Sequence, residues 1–362
     1  MTSWTRRALA CALTLTLILA PAALADAAQR GKRVDVTVMT RNIYLGGNIF
    51  GPLAAGNDRA EFERLAGLLW AEVQGTDFVG TRAALLAREI RRARPDLVGL
   101  QEVALWRRGP DGVKDGATTP ATQVVYDFLR TFRQRLARLG LRYAVAVKQR
   151  EADIETSIDA GYDVRLTMYD VILVKKRRGL RVTRRLKDNY PTDIAVPTPV
   201  GPLTSTRGWT AADVRYRGKR FRFVNTHLEA AGDAVREAQA RELIGPGGPL
   251  RGRRQYIVVG DFNSDPQGRE SPSEAFDILA DFGLVDSWPR SRFGPGYSCC
   301  LAQSDARDPN ADAFDHRIDL ILAKPRLRAI RGEVVGDELR DRAPNGLWPS
   351  DHAGVVMELR LR

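Results

Sequence analysis

Two hydrophobic periods alternate along the chain. Residues 34–40 read apolar, polar, apolar, polar, which is the two-residue repeat of a half-buried strand. Residues 81–94 and 122–139 instead carry apolar side chains every three or four positions. The second of these uses Val125, Phe128, Leu129, Phe132, Leu136 and Leu139, with Gly140 as its stop. Both segments are predicted helices. Residues 97–100, 142–148, 171–174, 256–259, 318–322 and 355–361 read as further strands, and 212–216 with 221–226 predict a hairpin around Arg217-Gly218-Lys219. Ser271-Pro272-Ser273-Glu274 has the form of a capping box with proline at the first helical position, so a helix is expected from there to about Asp281. Strands and helices joined by both crossovers and hairpins predict sheets covered by helices on their outer faces.

The first 25 residues follow a different pattern. Arg6 and Arg7, an apolar run over 8–20 and Ala23-Leu24-Ala25 match the charged, hydrophobic and cleavage regions of a secretory signal cut after Ala25. They predict a secreted or periplasmic protein. No later segment approaches the ~20 apolar residues of a membrane-spanning helix. Past a short extension at 26–33, residues 34–362 show no internal repeat. The Pro/Gly-rich pieces at 109–120, 190–202 and 245–252 are short enough to be loops, so one domain is expected.

Composition adds less. A net charge of +12 favours polyanionic partners such as nucleic acid or anionic lipid surfaces, but the basic residues are mostly arginine and spread along the chain. Cys11 falls in the signal, which leaves the adjacent pair Cys299-Cys300. No cysteine framework staples the fold and no zinc spacing is present; a vicinal disulfide and two loop thiols both stay open.

The chemistry lies at the strand ends. The first strand runs into Arg41-Asn42, the second into Gln101-Glu102, the hairpin's return strand into Thr226-His227-Leu228-Glu229, and the 256–259 strand into Asp261 and Asn263. Turn formation explains any one such end, since Gly, Asp, Asn and Pro make turns. Ser350-Asp351-His352 comes just before the last strand and joins the same edge if that strand runs antiparallel to its neighbour. Of the three histidines, His227 and His352 stand at these edges, while His316 reads as a loop residue. Asp319 lies inside an apolar run, where a carboxylate is costly to bury without a partner. An imidazole or Arg317 would supply one.

Six pieces, TRNIYLGG, LQEV, NTHLE, GDFNSDP, RIDLIL and PSDHAGV, occur in this order from Thr40 to Val355. The set resembles the endonuclease/exonuclease/phosphatase superfamily. The resemblance implies a four-layer α/β sandwich, two mixed β-sheets packed face to face with helices outside, and metal-dependent cleavage of a phosphate ester.

Such cleavage needs charge neutralised, water activated and both held in line. Carboxylate and amide oxygens suit Mg²⁺ or Mn²⁺. Glu102 is the expected metal ligand, with Asn42 orienting it and Asp351 in support. Asn263 and His227 then face the phosphate, Asp261 positions or deprotonates the attacking water, and His352 is the general-base candidate oriented by Asp319. Tyr169 and Asp170 are candidates to support the phosphate-side histidine, whereas Glu229 reads equally as a site residue or as a solvated loop acid. Trp348, Trp209 and Arg207 are candidates for substrate contact, with packing of the two tryptophans as the ordinary alternative. Nucleic acid leads over phospholipid as the phosphodiester substrate. A phosphomonoester, and a non-catalytic polyanion-binding protein on the same fold, are the alternatives.

Overall fold

The computed structural model describes residues 33–112, 120–268, 273–301 and 306–362, so the expected secretory signal lies outside the described residues. In strand β1 (Val34–Asn42), Val34, Val36 and Val38 are buried on one side and Met39 on the other. A strand buried on both faces needs two layers of cover. β1 pairs in parallel with β2 (Leu97–Pro110) and antiparallel with β15 (Gly354–Leu361), which continues to β14 (Arg328–Val335). On the other flank lie β5 (Tyr162–Lys175) and β4 (Tyr143–Ile158), and β3 (Gln123–Asp127) pairs with the outer part of β2. The second sheet has the order β12 (Val285–Asp286), β13 (Asp319–Lys324), β11 (Gln255–Asp261), β10 (Lys219–His227), β9 (Gly208–Tyr216) and β6 (Leu180–Asn189), with β10 and β11 parallel. A small ribbon joins β7 (Ile194–Val196) to β8 (Leu203–Ser205).

Three apolar cores separate four layers. Between the sheets, Val36, Val38 and Ile172 meet Val214, Phe223, Ile257 and Val259. Each such buried side chain contributes about 1.5–3 kcal/mol of burial free energy. Helices α1 (Arg59–Gly75), α2 (Ala83–Ala93) and α3 (Phe128–Arg138) cover the first sheet; in α2, Ala83, Leu86, Ala87 and Ile90 face it at helical spacing. Helices α4 (Asp233–Ile244) and α5 (Ala275–Asp281) cover the second through Ala240, Leu243, Ala275 and Leu279. The architecture is the four-layer α/β sandwich expected from the sequence. Among the described residues no helix is long and apolar enough to cross a membrane.

Two local expectations change. The helix expected over 122–139 begins only at Phe128, because Asp127 caps it by accepting from the Arg130 N–H at 2.9 Å, and the residues before it form β3 along the elongated β2. Tertiary pairing overrides the apolar spacing there. The expected capping box also fails to fit: Ser271 and Pro272 lie outside the described residues, and Glu274 precedes α5 rather than sitting in its first turn.

Candidate active site

Antiparallel pairing of β13 on β11, and parallel pairing of β11 with β10, set His227, Asp261 and Asp319 abreast on three neighbouring strands. Register partners share a face of the sheet. In the first sheet, Asn42 ends β1 opposite Gln101 on β2, and antiparallel β15 brings the preceding Asp351 and His352 to the same edge. The two sheets join at Asn42. Its Nδ2 donates to Glu102 Oε1 and to Asp261 Oδ2, both at 3.0 Å, and lies 3.5 Å from His352 Nε2. Tyr44 N–H donates to Asn42 Oδ1 at 2.9 Å, which fixes the orientation of the amide.

A bulge in β2 aims Glu102. The register against β5 shifts between Leu100 and Val103, and Glu102 takes a left-handed backbone with φ 58°. Such conformations are costly for a side chain with a Cβ and persist where surrounding contacts hold them. Here Leu45 N–H donates to Glu102 Oε2 at 2.8 Å. Asn263, with φ 47°, is turned in the same way after β11; its N–H donates to Asp261 Oδ1 at 3.0 Å and its Nδ2 to the Leu228 carbonyl at 2.9 Å. Behind the site Arg41 donates to both oxygens of Glu89 and to the His352 carbonyl.

Electrostatics divide the site into two halves. Burial works against the His352 imidazolium, but the carboxylates of Asp319 and Asp261 outweigh it and hold its pKa well above the ordinary histidine value. Asp319 Oδ2 is 2.8 Å from His352 Nδ1, whereas Arg317 bonds Asp286. Asp319 thus has the imidazole, of the two partners foreseen. Burial pushes Asp261 up to about 7 against the pull of His352, and Asp351 up to about 6 against the same cation. On the other side burial, followed by the charge of Arg207, drives His227 well below its usual value. Arg207 Nη1 lies 2.9 Å from His227 Nδ1, and its Nε donates to Glu229 Oε2 at 3.2 Å. Glu229 is therefore no solvated loop acid. It is fully buried and also accepts from Ser205 Oγ at 2.7 Å.

Glu102, Arg207, His227, Asp261, Asn263, Asp351 and His352 line one cleft of about 480 Å³, with Asn42 and Asp319 buried behind it. Three candidates stand elsewhere. Trp348 is fully buried, edge-on to Phe314, and donates to the Asp308 carbonyl; Trp209 packs in the core under α4. Neither offers a ring to a substrate. Tyr169 turns to the helix-covered face beneath Lys148, a consequence of strand alternation beside the inward Asp170. Asp170 is buried within electrostatic reach of Arg207 and Asp261, and neither of its carboxylate oxygens has a hydrogen-bond partner among the described residues.

The model of the Endonuclease/Exonuclease/phosphatase family matches residues 69–352. The chain belongs to the endonuclease/exonuclease/phosphatase family. No curated protein sequence matches it. Solved structures share the fold: a family member from Bacteroides thetaiotaomicron is 19% identical with a TM-score of 0.53, covering 91% of this chain and 99% of that one. A family member from Leptotrichia buccalis is 14% identical with a TM-score of 0.55, covering 90% and 99%. The mannosyl-6-phosphatase of B. thetaiotaomicron is 18% identical with a TM-score of 0.52, also covering 90% and 99%. The fold is that of a phosphoesterase.

The donor set of this family member suits a divalent cation. Glu102, Asp261 and Asp351 bring three carboxylates to one cleft, and Asp319 Oδ1 is buried without a hydrogen-bond partner among the described residues. Asp261, Asp319 and His352 each place a ligand atom within 4.8 Å of the others. Asp319 is already committed to His352, whereas Glu102 is partly exposed and opens into the cleft. A hard, oxygen-seeking ion therefore fits better at Glu102 and Asp351 than at the imidazole.

Proposed function

We propose that the protein is an exported Mg²⁺- or Mn²⁺-dependent phosphodiesterase, with nucleic acid as its leading substrate. The observation that carries this reading is the meeting of Asn42, Asp261 and His352 across the two sheets, with Asp319 behind the imidazole. Glu102 and Asp351 would hold the ion and Asn42 would orient Glu102. When bound, the ion neutralises phosphate charge. Arg207, Asn263 and a neutral His227 line the same cleft, where donors stabilise the charge that grows on the phosphate oxygens. Asp261 takes or orients the proton of the attacking water, and His352, held by Asp319, supplies positive charge or exchanges that proton at Nε2.

The net charge of +12 supports a polyanion such as nucleic acid, and export rests on the pattern of residues 1–25. The likeness to a mannosyl-6-phosphatase makes a phosphomonoester the second reading. The test is to offer plasmid DNA, RNA, sphingomyelin and a soluble phosphomonoester in parallel to the chain lacking residues 1–25, with Mg²⁺, Mn²⁺ or EDTA. Metal-dependent cleavage of DNA or RNA is expected. Cleavage of sphingomyelin or the monoester alone moves the substrate class, and inertness with both metals leaves a polyanion-binding protein.

A further inference from the structure

Cys299 and Cys300 lie against the atom of His352 that faces the cleft. Their Sγ atoms are 4.0 Å and 3.9 Å from His352 Nε2 and in direct contact with one another, and Cys300 lines the cleft. The surrounding backbone is tied to both halves of the Asp319–His352 pair. Ser298 Oγ accepts from Asp319 N–H at 3.2 Å, Ser298 N–H donates to the His316 carbonyl at 2.9 Å, Leu301 N–H donates to the Asp351 carbonyl at 2.9 Å, and Ala353 N–H donates to the Ser298 carbonyl at 2.7 Å. Any rearrangement of the cysteine pair is therefore felt at the imidazole.

A thiol or thiolate sulfur accepts the Nε2–H of the His352 imidazolium, a disulfide sulfur does so more weakly, and two reduced sulfurs must also separate from the covalent distance of about 2.05 Å to non-bonded contact. We propose that Cys299–Cys300 is a thiol–disulfide exchange site in the wall of the cleft, whose oxidised form packs against His352 Nε2 without holding it and whose reduced form engages it as a hydrogen-bond acceptor. Reduction by a dithiol breaks the S–S bond, delivers two electrons and two protons to the pair, and leaves the reagent as its cyclic disulfide. The functional consequence rests on the reading of His352 given above.

The test compares the protein equilibrated with oxidised and with reduced dithiothreitol in Mg²⁺, with thiols counted by alkylation and mass. Alkylation of both Cys299 and Cys300 and a rate about tenfold lower are expected after reduction, a fraction of the 10²–10⁴ that a general acid or base contributes. The Cys299→Ala/Cys300→Ala variant should keep one rate under both conditions. Equal rates for the wild-type protein in two states that alkylation shows to differ would overturn the proposal, as would thiols that alkylate fully under both conditions. If the protein hydrolyses nothing in either state, the phosphodiesterase reading fails separately, and the ring ¹⁵N signal of His352 decides: a shift between redox states supports the exchange site, and an unmoved signal sinks it.

Discussion

Asp319 and His352 form a buried carboxylate–imidazole pair, 2.8 Å apart, although one begins β13 in the second sheet and the other precedes β15 in the first. The carboxylate holds the ring so that Nε2 faces the cleft. His352→Ala is expected to lower kcat/KM by about 10²–10⁴-fold and Asp319→Asn by about 10²-fold. Because the two act as a unit, the double variant should be no slower than His352→Ala alone. Strictly multiplicative losses would show that they act independently.

Protons should compete with the metal. Burial lifts Asp351 to about 6 and Asp261 to about 7, so below those values both carry a proton and the cleft loses negative charge. The Mg²⁺ concentration for half-maximal rate is therefore expected to fall as pH rises from 5 to 8, by up to about tenfold per pH unit at the acid end. An unchanged midpoint across that range would remove Asp351 from the metal site.

Glu102→Gln keeps an acceptor for the Leu45 N–H but removes the charge. The Mg²⁺ requirement should rise by about 10–100-fold while the thermal midpoint barely moves, the penalty typical of a weakened metal site. A variant with wild-type metal dependence would place the ion elsewhere, the Asp261–Asp319–His352 group being the next choice.

Arg207→Ala leaves Glu229 buried without its cation. Removing one partner of a buried ion pair costs about 3–5 kcal/mol, read as a lower urea midpoint at neutral pH. The same change should let His227 titrate closer to its ordinary value, because the charge beside the ring is gone. An unmoved His227 signal in NMR would mean that burial alone suppresses its protonation.

The strand ends were legible because a polar residue closing an apolar run breaks the pattern visibly, as at Asn42, Glu102, His227 and Asp261. Asp319 was legible for the opposite reason, as an acid inside an apolar run. What escaped depended on partners distant in sequence. Glu229 reads equally as solvated until Arg207, 22 residues earlier, folds onto it. The bulge that turns Glu102 exists only against β5, and the approach of Cys300 to His352 spans 52 residues. Trp348 looks available beside the Ser350-Asp351-His352 loop, and only the packing of Phe314 shows where its ring goes.

The bond from Asn42 to Asp261 bridges two separately hydrogen-bonded leaves of the sandwich. Neither leaf alone holds all the groups that the proposed hydrolysis uses. Turnover is thus a reporter of docking: during refolding it should appear only once the leaves close on each other, in step with burial of the apolar layer between them. A fragment retaining one leaf, however well paired its strands, would be catalytically silent until its complement arrived.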